Sequence, residues 1–220
     1  MISSTLDQVI RLCVDSIISQ PHNPCLVAIT GESGSGKSYF IKVLSQELTH
    51  QNIDFSFLNH DEFLIPRNER EELRQDVYAE GEFKGRTHWE VLENWYYFDA
   101  FERVLDNLKQ GRPAIYYPYV HDTGQISLEQ RTIDPSRVII IEDKILLDKM
   151  DFVIELVVDR KKTIERKIDR DSDVRTPKQT IEMHEKAQGY FWDRQGQIKA
   201  DIKIDNNDFT NPVIIKKLAV

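Results

Sequence analysis

The run "GESGSGKS" at residues 31–38 constrains this chain more than any other stretch. It follows "CLVAIT", which is short, apolar and β-leaning. It precedes "YFIKVLSQEL", whose apolar positions recur with the period of an amphipathic helix. Strand, glycine-rich turn and helix in that order form a cradle for phosphate. Gly31, Gly34 and Gly36 let the backbone turn tightly and point successive N–H groups inward, where a β-carbon would obstruct an anion. A helix starting near Lys37 adds its positive N-terminal end. Lys37 is then a point charge for the β- and γ-phosphates, and Ser38 offers magnesium a hard oxygen ligand. Glu32, Ser33 and Ser35 fill the remaining positions of this nucleotide-binding loop. The alternative is a plain surface turn, and the flanking strand and helix weigh against it.

The rest of the chain alternates strand-like and helix-like segments. "IDFSFLN" reads as a strand ending at "HDEF", and residues 66–89 as either a surface helix or a mobile segment. "WYYFDAFERVLDNLKQG" has helical spacing, with Gly111 and Pro113 as stops. "AIYYPYV" reads as a strand and "TGQISLEQRTIDP" as a hairpin between turn residues. "RVIIIED" and "DFVIELVVD" are continuously apolar, as central parallel strands are. Two helices follow, "RKKTIERKIDRD" and "TPKQTIEMHEKAQGYFWDRQ", the second with Thr176 as N-cap and Pro177 at its first position. "ADIKIDN" is a last short strand. This order predicts an α/β fold, a parallel β-sheet flanked by helices with right-handed crossovers. The expected organisation is a single domain over 1–220, with an N-terminal helix at 1–20, a small β-hairpin flap at 112–135 and a lid region at 160–180.

Composition narrows the setting. A net charge of −8 speaks against a nucleic-acid partner, which usually meets a basic surface. Cys13 and Cys25 are too few for a disulfide framework, so a reducing compartment is expected. Asp7, Arg11 and Asp15 interrupt the N-terminal stretch, which therefore reads as a helix and not a signal peptide. No apolar run approaches the roughly 20 residues that span a bilayer. A cytoplasmic protein without a membrane partner is the expectation, and nothing in the chain argues against a homo-oligomer.

Three further places carry chemistry. Asp61 falls just past a predicted strand, at the edge where open α/β sheets bind ligands. There it either takes a proton from an attacking hydroxyl or caps the following segment. Glu142 ends the most apolar strand, where a magnesium-orienting acid belongs; a solvated charge closing the strand is the alternative. Arg166 and Arg170 share a helix face, and Arg175 follows before a proline. They read either as an arginine-bearing flap over phosphates or as a solvated helix paired with Glu165, Asp169 and Asp171.

Taken in order, these pieces resemble the uridine kinase and phosphoribulokinase family of P-loop kinases over residues 26–207. Uridine kinases carry "D-S-F-Y" after the second strand, where this chain has "DEFL" from Asp61. "NWYYFDAF" aligns with their "N-F-D-H-P-D-A-F", "IIIED" with "V-I-V-E-G", "RKIDRD" with "R-R-I-x-R-D", and "ADIKI" with "A-D-I-I-I". The resemblance implies a P-loop NTPase fold and transfer of the γ-phosphoryl group of ATP, with Mg2+, to a hydroxyl of a small nucleoside-like acceptor. It implies Asp61 as general base, Glu142 and Ser38 near magnesium, and Lys37, Arg166 and Arg170 as the catalytic cations. Arg170 and Arg175 would join the nucleotide site from the lid. Tyr96, Tyr119 and Arg166 would meet the acceptor beside Asp61. Tyr96 stands where uridine kinases hold ribose with an aspartate, and a tyrosine cannot offer two carboxylate oxygens to a diol. Leu64 replaces their tyrosine and Asp143 their glycine, and "YVHDTGQ" keeps only Tyr119 of their "Y-D-F-x-x-H-x-R". A sugar phosphate or a pantothenate-like alcohol is the alternative acceptor. A nucleotide-binding regulatory ATPase without an acceptor is the alternative from another class.

Overall fold

The computed structural model describes residues 5–143, 145–194 and 198–217. Residues 1–4 of the expected N-terminal helix and Gln195 of the expected last helix lie outside them. In chain order the first elements are α1 (Leu6–Ile18), β1 (Cys25–Gly31), α2 (Lys37–His50), β2 (Phe55–Asn59), α3 (Arg67–Glu72) and α4 (Phe98–Lys109). The short strands β3 (Ala114–Tyr116), β4 (Tyr119–Val120), β5 (Gln125–Ile126) and β6 (Arg131–Ile133) follow. The chain continues with β7 (Val138–Glu142), β8 (Phe152–Val157), α5 (Arg160–Asp171), α6 (Pro177–Arg194), β9 (Ile202–Asp205) and β10 (Val213–Lys217). Two compact units result, Met1–Leu58 with Ser136–Val220, and Asn59–Pro135.

The first unit is built on a six-stranded sheet in the order β10-β9-β8-β1-β7-β2. β1 runs parallel to both neighbours, placing Ile29 opposite Glu142 on one side and Ile154 on the other. β8 and β9 are also parallel, and β10 closes the edge antiparallel to β9. β1 is buried along its whole length, which is why its sequence shows no polar alternation. The pleat divides its side chains between two layers. Cys25, Val27 and Ile29 join Val9, Cys13, Val14 and Ile17 of α1 and Phe40, Leu44 and Leu48 of α2 in the main core. Ala28 faces the other way, with Val153 and Ala200. Val138 and Ile140 of β7 and Phe152, Ile154 and Leu156 of β8 complete the same core, in which each fully buried Leu, Ile, Val or Phe contributes about 1.5–3 kcal/mol. Cys13 and Cys25 are free thiols in that core, and burial pushes both up to about 12, where they are inert. Among the described residues no helix is long and apolar enough to cross a membrane.

The second unit has a different construction. A 3₁₀ turn, His60–Phe63, follows β2 directly and packs against α4, which in turn lies on β3. His60 is wholly buried, its ring stacked on Phe101 at 4.3 Å and tilted against Tyr96 at 4.2 Å. Phe63 sits between Phe101 and Tyr116. Two antiparallel ribbons, β3 with β6 and β4 with β5, occupy the stretch expected to form one hairpin. Pro118 splits the expected "AIYYPYV" strand, because it lacks the N–H a ladder needs. The expected helix from Trp95 starts only at Phe98, since Tyr96 is extended and bridges Leu64. Tyr97 N–H is likewise drawn out to the Phe63 carbonyl. Residues 66–89 contain one short helix, α3, and a Val77–Thr87 bridge.

Candidate active site

The loop between β1 and α2 takes the conformation its glycines allow. Gly34 and Gly36 have φ of +89° and +92°, a region L side chains rarely enter. A β-carbon on Gly34 would lie 2.7 Å from the Thr163 carbonyl oxygen, and one on Gly36 2.8 Å from Asn206 Nδ2. Gly36 is also the N-cap of α2 and makes no side-chain cap bond. The first turn of a 14-residue helix therefore presents its N–H groups without a competing side chain. Lys37 is buried there, Nζ donating to the carbonyls of Gly31 (3.0 Å) and Glu32 (3.2 Å) and lying 3.7 Å from Glu142 Oε1. Ser38 is exposed on the same turn. An ammonium, a helix N-terminus, one hydroxyl and one carboxylate suit a triphosphate with a magnesium ion that keeps several of its waters.

Helix α5 reaches the loop with three side chains. Arg166 donates to the Gly34 carbonyl (3.3 Å) and to the carbonyls of Asn206 and Asn207 (3.0 Å each). Lys167 donates to Ser33 Oγ, and Thr163 to Glu32 Oε1 at 3.0 Å. That same Oε1 lies 2.8 Å from Nε2 of His184, a wholly buried residue of α6. Glu32 thus turns its carboxylate into the interior and offers a ligand only its backbone. Past β9, Asn206 closes the loop from a third side, Nδ2 donating to the Ser35 carbonyl at 2.7 Å. Arg170 and Arg175 both bind Asp171, each at 3.0 Å. Burial pushes the Asp171 carboxyl up, but Arg170, Lys167 and Arg175 together hold it below the usual carboxylate range. Asp143 is buried, its carboxylate accepting from the N–H groups of Ile145 and Leu146, so it shapes the turn after β7.

The second unit carries Asp61 and its surroundings. Asn59 Oδ1 caps the 3₁₀ turn by accepting from the Asp61 N–H at 2.9 Å, so the capping role weighed for Asp61 belongs to its neighbour. The Asp61 carboxylate accepts from the Tyr96 hydroxyl at 2.8 Å. Tyr96 is only 6 % exposed and is committed to orienting that acid. Glu62 accepts from the Tyr116 hydroxyl and from Arg131. Burial, reinforced by Glu62, drives the Tyr116 phenol far above its usual value and keeps it a donor. Tyr119 is buried, its hydroxyl accepting from Arg70 Nη2 at 2.5 Å.

A sequence profile of the Phosphoribulokinase / Uridine kinase family matches residues 26–183, well over half of the chain. The chain belongs to this family. Among curated proteins none matches it by sequence. Solved structures with the same fold include a possible uridine kinase from Bacillus stearothermophilus, 22% identical at a TM-score of 0.59, covering 90% of this chain and 98% of that one. D-glycerate 3-kinase from Cryptococcus neoformans var. grubii superposes at a TM-score of 0.70 with 12% identity, over 96% of this chain and 99% of that one. Phosphoribulokinase from Rhodobacter spheroides gives 0.59 and 16%, over 83% and 70%. At these identities the likeness shows the P-loop kinase fold. It leaves the acceptor to be argued from this chain's own residues.

Of the residues singled out in sequence, the first unit brings together the loop 31–38, Glu142 and Arg166. Arg170 and Arg175 are held together on Asp171. The second unit joins Asp61 to Tyr96 and keeps Tyr119 on Arg70. Sequence reasoning missed Thr163, His184, Asn206, Glu62, Arg131 and Arg70. His184 and Glu32 lie 152 positions apart, and no local pattern announces such a pair. Asn206 ends the segment read as the last strand, and nothing in the sequence marks its amide as the partner of the Ser35 carbonyl.

Proposed function

We propose that this family member is an ATP-dependent kinase that transfers the γ-phosphoryl group to a hydroxyl of a small acceptor, with Asp61 as general base. The observation that carries the reading is the Tyr96–Asp61 hydrogen bond, which holds a carboxylate in one orientation two residues past the end of β2. A base so held accepts the hydroxyl proton as the oxygen attacks in line. Lys37, now on Gly31, Glu32 and Glu142, has the reach to exchange these partners for phosphate oxygens. Arg166 supports the loop through its carbonyl oxygens, and Arg170 and Arg175 supply lid charge for the developing negative charge. Ser38 and Glu142 are the residues that would hold magnesium, whose chemistry there is to neutralise phosphate charge.

The test is ADP release by purified protein with magnesium and ATP across nucleosides, sugar phosphates and hydroxy acids, with the product identified by mass. Acceptor-dependent release is expected. Slow release that no acceptor raises, together with tight ATP binding, would replace the kinase by a nucleotide-dependent regulator.

A further inference from the structure

Among the described residues Arg70 pairs with no carboxylate. It lies 4.9 Å from the Tyr119 ring centroid and 6.0 Å from that of Trp95, and its Nη2 donates to the Tyr119 hydroxyl. Its Nε is sealed from solvent and finds no acceptor among the described residues. Two other arginines of the unit are neutralised, Arg74 by Glu71 and Arg131 by Glu62, while Arg67 and Arg112 spend their guanidinium groups on the His121 carbonyl and the Asn107 side chain. A buried N–H left unpaired costs stability, and a cation between aromatic faces is poorly hydrated, so an oxyanion would complete the arrangement. To meet two oxygens of one carboxylate or phosphate, the Nε and Nη edge would open Nε from its present burial and give up the Tyr119 hydroxyl.

Its mounting ties this cation to the acceptor base. Tyr119 belongs to β4, which packs against the 3₁₀ turn bearing Asp61. Trp95 immediately precedes Tyr96, whose hydroxyl orients Asp61, and the Trp95 carbonyl accepts from Ile65 N–H. Base and cation therefore stand on the same two supports within one compact unit.

The geometry points to Arg70 as the anchor for an anionic group on the acceptor, a carboxylate or phosphate carried by the molecule whose hydroxyl Asp61 activates. The acceptor class is then a hydroxy acid or sugar phosphate, not a neutral nucleoside. This rests on the kinase reading only in identifying the anion's carrier with the acceptor.

Calorimetry without nucleotide tests it on the full chain, using D-glycerate, glycerol 3-phosphate and glycerol, then other sugar phosphates and hydroxy acids against their neutral parents and uridine. At least one acidic member is expected to bind tenfold or more tighter than its neutral parent. Arg70→Gln should abolish that preference and Arg70→Lys should retain part of it. The carboxylate and phosphate arms decide which oxyanion is preferred, and ATP titrated alone should bind wild type and Arg70→Gln equally. Parity of acidic and neutral members in the wild type overturns the proposal without any variant. So does a preference that survives Arg70→Gln, or an Arg70→Gln defect confined to ATP. Should Arg70→Gln fail to fold by circular dichroism, Arg70→Lys decides: an unchanged preference and affinity refute the fork. ADP release in parallel separates the two ideas. A neutral alcohol that drives turnover equally in wild type and Arg70→Gln keeps the kinase and removes the anchor. An Arg70-dependent anion site without acceptor-driven release keeps the anchor and removes the kinase.

Discussion

The two units hold their functional groups by different means. In the first, main-chain atoms do most of the holding: Lys37, Arg166 and Asn206 all donate to carbonyl oxygens of the glycine-rich loop. In the second, side chain meets side chain: Tyr96 on Asp61, Tyr116 and Arg131 on Glu62, Tyr119 on Arg70. A site anchored on carbonyls depends on backbone path and tolerates changes of side-chain identity outside its few fixed positions. A site anchored on side chains changes its ligand with a single substitution. The contrast matches the division of labour proposed here, an invariant triphosphate on one unit and an acceptor particular to this protein on the other.

The sharpest way to break this contrast is Asp61→Asn. It should lower turnover about 10²- to 10⁴-fold while ATP affinity, read by calorimetry, stays at the wild-type value. A matching loss of ATP affinity would mean the units do not divide the work. Next comes His184→Leu, which leaves the buried Glu32 carboxylate with one of its two partners. The expected loss is about 1–3 kcal/mol in denaturant unfolding, with weaker ATP binding. An unchanged midpoint would show that the loop does not lean on α6.

Tyr96→Phe is milder. Losing one hydrogen bond to a charged acid should cost about 1.5–3 kcal/mol of orientation at most, read as lower kcat at unchanged KM for ATP. The smallest effect concerns Asp171. Its depressed carboxyl adds stability above the unfolded value of about 3.9, and that stability is lost as pH falls through the lower folded value. Arg170 is 61% exposed and Arg175 38%, so Asp171→Asn should differ from wild type by less than about 1 kcal/mol at neutral pH. The two proteins should converge once the pH lies well below the unfolded value.

What could be read in the sequence follows the same line. The loop, the apolar strands β1, β7 and β8 and the charged α5 were all legible, because backbone-determined features leave local signals: glycine spacing, apolar runs, helical period. β10 was not seen, since "VIIKK" is half exposed on a sheet edge and has no alternation to mark it. The start of α4 was misplaced because Tyr96 and Tyr97 bond across to Phe63 and Leu64, contacts that outweigh helical spacing. Arg70 lay in a polar stretch that reads as surface, and only the folded chain sets it against Trp95 and Tyr119. The family resemblance supplied roles for Asp61 and Tyr96, but it could not foresee that the second would be bound to the first.

The grip of α5 on the glycine-rich loop has a consequence for building hybrids of such enzymes. Thr163, Arg166 and Lys167 each meet a particular feature of that loop: the Glu32 carboxylate, the Gly34 carbonyl and the Ser33 hydroxyl. Two of the three partners are side chains at positions that phosphate binding itself leaves open to choice. A helix transplanted from another family member would arrive with its own complements to those positions. The loop and the helix therefore form one exchangeable cassette, and grafting either alone would leave the buried Glu32 carboxylate or the half-buried Arg166 and Lys167 without their complements.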